Sequence, residues 1–153
     1  MGLFNKKTTI YSPAKGFVKS IERVNDQMFA AKALGDGFAV EPAAELIVSP
    51  IEGTVVSVFP TKHAISLKNK QGLEVLLHIG IDTVELDGAG FTIKVSEGDQ
   101  VTEETALAEV DFSLLASKGK ETDVMVIFTN LEKKTVVFDE GQVVAGQAIG
   151  TIK

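Results

Sequence analysis

The 153-residue sequence contains no cysteine and no tryptophan, one tyrosine, four prolines and only two histidines. Without cysteine there is no disulfide, no thiolate metal ligand and no thiol nucleophile, so any chemistry falls to histidine, carboxylate and hydroxyl groups. No apolar run approaches the roughly 20 residues of a membrane-spanning helix. The N-terminus, Met1-Gly-Leu-Phe-Asn-Lys-Lys7, is too short and polar for a secretory signal, and a cytoplasmic protein is expected. A formal charge of −6 argues against a nucleic-acid binder, because phosphate contacts need clustered Lys and Arg. An acidic surface suits a basic protein partner instead. What the chain does have is 44% hydrophobic and 24% charged residues, the balance of a soluble domain with a real core.

Short β-rich runs recur between Gly and Asp/Asn punctuation: Thr8 to Tyr11, Phe17 to Ile21, Phe38 to Val40, Glu45 to Val48, Gly53 to Phe59, Phe91 to Val95, Ala106 to Val110, Val124 to Phe128, Lys134 to Phe138 and Ala148 to Ile152. Such spacing predicts an all-β fold, an antiparallel β-sandwich or distorted barrel. Helical periodicity is confined to Asp26–Ala33 and Phe112–Lys118, one or two turns each. Two segments echo one another, Val95-Ser-Glu-Gly-Asp-Gln-Val101 with Ala106–Val110 and Phe138-Asp-Glu-Gly-Gln-Val143 with Ala148–Ile152. Ser12-Pro-Ala-Lys-Gly-Phe-Val18 and Ser49-Pro-Ile-Glu-Gly-Thr-Val55 share Ser-Pro-x-x-Gly-x-Val, so a duplicated β-motif is expected. No linker divides the chain. Residues 1–7 read as a short flexible tail and 8–153 as a single domain.

The two histidines, His63 and His78, fall in two further β-rich runs, His63–Lys68 and Leu73–His78, joined by the turn-like Asn69-Lys70-Gln71-Gly72. An antiparallel hairpin centred between Lys70 and Gln71 sets His63 opposite His78 and Ile65 opposite Leu76. Opposed residues have Cβ atoms roughly 4.5 to 5.5 Å apart, so both imidazoles would address one small ion or transferred group. The inference depends on register, since a one-residue slip places the rings on opposite faces.

Three chemistries fit a histidine pair in a β-domain. Two imidazoles begin a zinc site, but HExxH, His-x-His and cysteine are all missing, and Asp82 is the nearest acidic candidate for a third ligand. A swinging-arm carrier would use Lys62, whose neighbours lack the sequence context of lipoyl or biotinyl lysines. A phosphohistidine carrier uses one neutral imidazole as nucleophile and the other as a donor to the phosphoryl oxygens. It explains a pair and requires no cofactor.

The same residues carry a family resemblance. Thr61-Lys-His63-Ala, Val75-Leu-Leu-His78-Ile-Gly80-Ile-Asp82-Thr-Val-Glu-Leu86, Phe29-Ala30, Gly35-Asp-Gly37, Ser49-Pro-Ile-Glu-Gly53, Gly88-Ala-Gly90-Phe91 and Glu97-Gly98-Asp99 together resemble the glucose-type IIA component of the bacterial sugar phosphotransferase system. The likeness runs from about Thr9 to Ile152, with Asn25 where many members have proline. The resemblance implies a phosphotransferase role. The phosphocarrier HPr would be donor and a cysteine on the IIB domain of a sugar permease the acceptor.

By position, His78 would be the phosphorylated nucleophile through Nε2, His63 its partner, and Thr61 the residue orienting His63. Asp26 and Asp82 would engage a basic partner, and Met28, Phe29, Phe59, Ile65 and Leu76 would form an apolar collar for docking. Backbone amides around Gly80 would add donors to the phosphoryl group. Other expectations are a non-enzymatic regulator on the same fold, a zinc hydrolase, and a regulatory zinc ion bridging His63, His78 and a partner carboxylate.

Overall fold

Turn residues set the strand boundaries close to where the sequence punctuation predicts them. The computed structural model describes residues 7–153; the expected tail lies, apart from Lys7, outside the described residues. Fourteen strands are present among them. They are β1 (Thr8–Tyr11), β2 (Gly16–Ser20), β3 (Asp36–Pro42), β4 (Leu46–Val48), β5 (Gly53–Val58), β6 (Ala64–Lys68), β7 (Glu74–Ile79), β8 (Phe91–Ile93), β9 (Gln100–Val101), β10 (Ala106–Val110), β11 (Val124–Phe128), β12 (Val136–Phe138), β13 (Gly141–Val143) and β14 (Ala148–Ile152). Two short helices accompany them, α1 (Gln27–Ala30) and α2 (Phe112–Ser117). Each is started by an aspartate whose carboxylate accepts from the first-turn amides. Asp26 takes Met28 N at 2.9 Å and Asp111 takes Leu114 N at 3.0 Å. The helix expected to reach Ala33 stops at Ala30, and Lys32 two residues later has φ 61.

All strand pairs are antiparallel. One eight-stranded sheet runs β13-β2-β3-β11-β7-β6-β5-β9, and two three-stranded sheets run β1-β14-β12 and β4-β10-β8. The long sheet reads as a palindrome in which β13 matches β9, β2 matches β5, β3 matches β6 and β11 matches β7. The two small sheets match strand for strand in the same way. The chain therefore contains one seven-stranded motif twice, the second copy, β4 to β10, lying whole between β3 and β11 of the first.

The sequence echoes fall at equivalent places in the two copies. Ser12 and Ser49 precede β2 and β5, and each buried hydroxyl donates to the carbonyl two residues on, Ala14 at 2.7 Å and Ile51 at 2.6 Å. The two turns also clasp each other, Tyr11 N donating to Pro50 O (2.9 Å) and Val48 N to Pro13 O (2.8 Å). Glu97-Gly98 and Glu140-Gly141 likewise introduce β9 and β13, the outermost strands of the long sheet.

The alternation of side chains divides the long sheet into two apolar faces. The inner face, with Val18, Phe38, Val55, Ile65, Leu77 and Val126, joins Ile10, Ile47, Leu107 and Ile149 of the small sheets in the main core. The outer face carries a second, smaller cluster of Ala39, Met125 and Ile127, sealed by Ile21, Val24, Phe29 and Ile81, with Leu76 against it. That smaller cluster forms the floor under His78.

Two expectations are corrected here. The β6–β7 hairpin is centred on Gln71, so Ala64, not His63, stands opposite His78, and Ile65 pairs with Leu77 rather than Leu76. The cause is the turn. Asn69 N donates to Leu73 O (3.1 Å), Asn69 Oδ1 accepts from Gln71 N and Leu73 N, and Gly72 takes φ 88, closing a three-residue loop with a left-handed last position. The new register turns Ile65 into the main core, where it is fully buried, so it cannot line a docking surface.

The Ser12 and Ser49 hydroxyls are fully buried and each removes a carbonyl from solvent need. Ser12→Ala and Ser49→Ala should each lower stability by about 1 to 3 kcal/mol, as expected for an orphaned buried acceptor. Urea unfolding with an unchanged m-value would show this.

Candidate functional site

His78 lies on β7 and His63 just before β6, outside the pleated run. The slipped register would send the rings to opposite faces if both residues were in regular strand. They meet because Lys62 has φ 64 and bends the chain ahead of β6, while Ile79 N donates to His63 O at 2.8 Å. The ring centroids are 4.9 Å apart and nearly edge-on, at 78°. Phe29 tilts against His78 at 5.0 Å and Phe59 meets His63 edge-on at 5.7 Å.

Each ring is fixed through Nδ1. His78 Nδ1 lies 2.8 Å from the carbonyl oxygen of Gly80, an acceptor only. Neutral His78 must therefore carry its proton on Nδ1 and keep a lone pair on Nε2. His63 Nδ1 lies 2.7 Å from Thr61 Oγ1, a hydroxyl able to donate to it or accept from it.

The Gly80 carbonyl reaches back to its own neighbour because Gly80 has φ 75, and a Cβ there would lie 2.5 Å from Thr83 Cγ2. The Gly80 and Ile81 amides, expected to face the site, are both committed elsewhere, to Asp123 O (2.8 Å) and Glu121 O (3.1 Å). Thr83 braces the turn from below, its hydroxyl donating to Ile79 O at 2.6 Å.

Burial makes both rings weak bases. Desolvation, with His63 nearby, lowers the pKa of His78 to about 4 against the smaller opposing effects of the Gly80 carbonyl and Asp26. Desolvation also lowers that of His63, which is 5% exposed. Near pH 7 both imidazoles are neutral, and His78 presents an unprotonated Nε2.

A shallow depression of about 210 Å³ opens beside His78, lined by Asp26, Met28, Phe29, Leu34, Asp82, Thr83 and Val84. The structure thus gathers Asp26, Asp82, Met28 and Phe29 around His78, with Met28 58% exposed and Phe29 buried as its wall. Phe59, exposed, stands at the His63 side, and Leu76 packs on the small outer core without lining the depression. Leu34 and Val84, both exposed, extend the apolar rim and were not singled out from the sequence, nor was Thr83. Val84 and Thr83 sit within the His78–Leu86 motif, which was the available signal. Leu34 lies in a loop with none.

As metal ligands, His63 and His78 supply two imidazoles, half of a tetrahedral zinc set. Among the described residues no group of three or more His, Cys, Asp or Glu side chains is placed to hold a metal, so Asp82 does not complete one. No described helix is long and apolar enough to cross a membrane.

Residues 8–134 match the family model described as phosphoenolpyruvate-dependent sugar phosphotransferase system, EIIA 1. The chain is 51% identical over 121 residues to the PTS system glucose-specific EIICBA component of Streptococcus pneumoniae, covering 79% of this chain but 17% of that much longer protein. It is 44% identical over 127 residues to the PTS system glucose-specific EIIA component of Halalkalibacterium halodurans, covering 83% and 73% of the two chains. The solved structure of glucose permease IIA from Mycoplasma capricolum superposes with a TM-score of 0.92 at 38% identity, over 99% of each chain.

The hydrogen bond and the depressed basicity give one prediction. In ¹⁵N spectra His78 should remain a single Nδ1–H tautomer and protonate only near pH 4. Between there and pH 6.5 the unfolded chain binds a proton at His78 that the folded chain refuses, so stability falls as pH is lowered through this window. The loss is about 3 kcal/mol, and the slope in urea midpoints should shrink in His78→Gln.

Proposed function

This chain belongs to the phosphoenolpyruvate-dependent sugar phosphotransferase system EIIA 1 family, and on that premise we propose that it is a phosphohistidine carrier with His78 as the phosphorylated residue. HPr is the donor and a IIB-domain cysteine the acceptor; a IIB partner is consistent with the relative named EIICBA. The permease served is assigned to glucose, as the relatives' names state of them. Residues 8–153 act as a single IIA domain.

The observation that carries the reading is the 2.8 Å contact from His78 Nδ1 to the Gly80 carbonyl. With the proton held there, the Nε2 lone pair attacks the phosphorus of the donor, the donor's P–N bond breaks, and a P–Nε2 bond forms. Because Nδ1 keeps its proton, the phosphorylated ring is formally cationic. The Gly80 carbonyl accepts from that N–H more strongly and Asp26 lies on the same depression, so both favour the charged ring.

His63 supplies the second half of the mechanism. The Thr61 hydroxyl donates to its Nδ1, which leaves the proton on Nε2 to bond a phosphoryl oxygen. When the IIB thiolate attacks, charge builds on those oxygens, P–S forms, and the electron pair of the broken P–N bond returns to His78. The apolar rim of Met28, Leu34, Phe59 and Val84 keeps water from the labile bond while a partner is docked, and Asp26 and Asp82 attract its basic residues.

Intact-mass spectrometry with phosphoenolpyruvate, Enzyme I and HPr tests the proposal. The protein should gain one acid-labile phosphate, and His78→Gln should gain none. His63→Gln should accept phosphate yet pass it to a IIB domain on the order of 100-fold more slowly. An unmodified wild-type protein with active partners, or a phosphorylated His78→Gln, would overturn the assignment.

A further inference from the structure

A buried cation is linked to His78 through the backbone. Lys19 on β2 pairs with Ala39 on β3, Ala39 with Met125 on β11, and Met125 with His78 on β7, so all four residues stand in one row on the outer face of the long sheet. Three strand spacings put the ends of the row roughly 14 Å apart. Two residues further along these strands, on the same face, come Glu41, Asp123 and Gly80.

The small side chain of Ala39 leaves room for the Lys19 stem to cross β3. Lys19, 8% exposed, then places Nζ 3.0 Å from Glu41 Oε2 and 2.9 Å from Asp123 Oδ2. The Asp123 carbonyl accepts from Gly80 N at 2.8 Å, and the Gly80 carbonyl accepts from His78 Nδ1 at 2.8 Å. One residue on, Ile81 N donates to Glu121 O, and the Glu121 side chain takes Asn25 Nδ2 at 2.8 Å.

The turn that orients His78 is therefore hung on residues 121–123, and the tie at their sheet end is Lys19. Removing its charge would leave the largely buried Asp123 carboxylate without its cation, while the exposed Glu41 is free to turn to solvent, and Asp123 regains hydration only by moving.

We propose that Lys19 is a positioning residue for the phosphoacceptor: by holding the Asp123 carboxylate it fixes the backbone on which Gly80 hangs, and so keeps the Gly80 carbonyl on His78 Nδ1. This rests on the phosphocarrier reading for its kinetic consequence but not for its structural one. Lys19 touches neither the histidines nor the rim of the depression, so it is distinct from docking and from chemistry.

The test uses Lys19→Met, Lys19→Arg and Asp123→Asn in the full chain. In Lys19→Met, hydrogen exchange at the Gly80 amide should speed up about tenfold while Val126 in the main core is unchanged. The His78 ring should become a mixture of tautomers in ¹⁵N spectra. With phosphorylated HPr as substrate, kcat should fall about tenfold at unchanged KM, because the docking surface is intact.

Lys19→Arg should restore all three readings. Should Lys19→Met fail to fold, Asp123→Asn, which keeps the shape and backbone, is read in the same way. A folded variant with wild-type Gly80 exchange and a single Nδ1–H tautomer overturns the proposal, as does protection lost equally at Gly80 and Val126. If wild-type protein takes no phosphate, the carrier assignment falls, while the ring spectra and Gly80 exchange still decide the role of Lys19.

Discussion

The hydrogen bond from His78 Nδ1 to the carbonyl of Gly80 is the constraint around which the site is arranged. It dictates the tautomer, and the tautomer dictates that Nε2 is the atom free to react. Everything nearby serves the geometry of that carbonyl. Gly80 supplies the positive φ, Thr83 holds the preceding carbonyl, and the backbone of residues 121–123 takes the amides that would otherwise compete. A side chain at Gly80 would collide with Thr83, so the turn, the brace and the histidine stand or fall together.

The duplicated architecture explains why such a site forms on the outer face of a sheet. Two copies of the motif meet at the β11–β7 pair, the centre of the eight-stranded sheet, and that pair carries Met125 opposite His78. Central strands are paired on both edges and are the stiffest part of a sheet. Their inner face is consumed by the main core, which leaves the outer face available for function. The 21–34 region, which is inserted between β2 and β3 and has no counterpart helix between β5 and β6, covers part of it together with Ile81 and brings Phe29 and Asp26 to the histidine. The copy without that insertion supplies His63 from the short β5–β6 connection instead.

Most of the fold was legible because its strands are separated by residues with local conformational preferences. The boundaries of β1, β10, β11 and β14 coincide with the apolar runs, and the Ser-Pro and Glu-Gly echoes mark equivalent turns. The pairing of the histidines was legible for a partly wrong reason. The turn Asn69–Gly72 was expected to be centred between Lys70 and Gln71, whereas Asn69 pairs with Leu73 and leaves a loop centred on Gln71, which slips the register by one. The rings still meet because Lys62 adopts a left-handed conformation, which a lysine does not announce in sequence. Ile65 was misplaced by the same slip. The Lys19–Asp123 contact was illegible, since it joins side chains 104 positions apart whose proximity only sheet order reveals.

The choice of a carbonyl rather than a carboxylate as the partner of His78 has an energetic logic. A carboxylate on Nδ1 would favour the imidazolium and make the ring a strong base, protonated near neutrality and unable to attack. A carbonyl orients the ring without adding a full negative charge, and burial keeps its pKa low, at about 4. A weakly basic nitrogen is a poorer nucleophile but a better leaving group, and in the proposed carrier role one atom has to do both steps. The low basicity costs forward rate that orientation and docking restore. On the proposed carrier reading, the same low basicity would raise the free energy of a phosphoryl group on His78 and favour its passage to the next acceptor. The desolvation that lowers this basicity is the same one that destabilises the folded chain in acid.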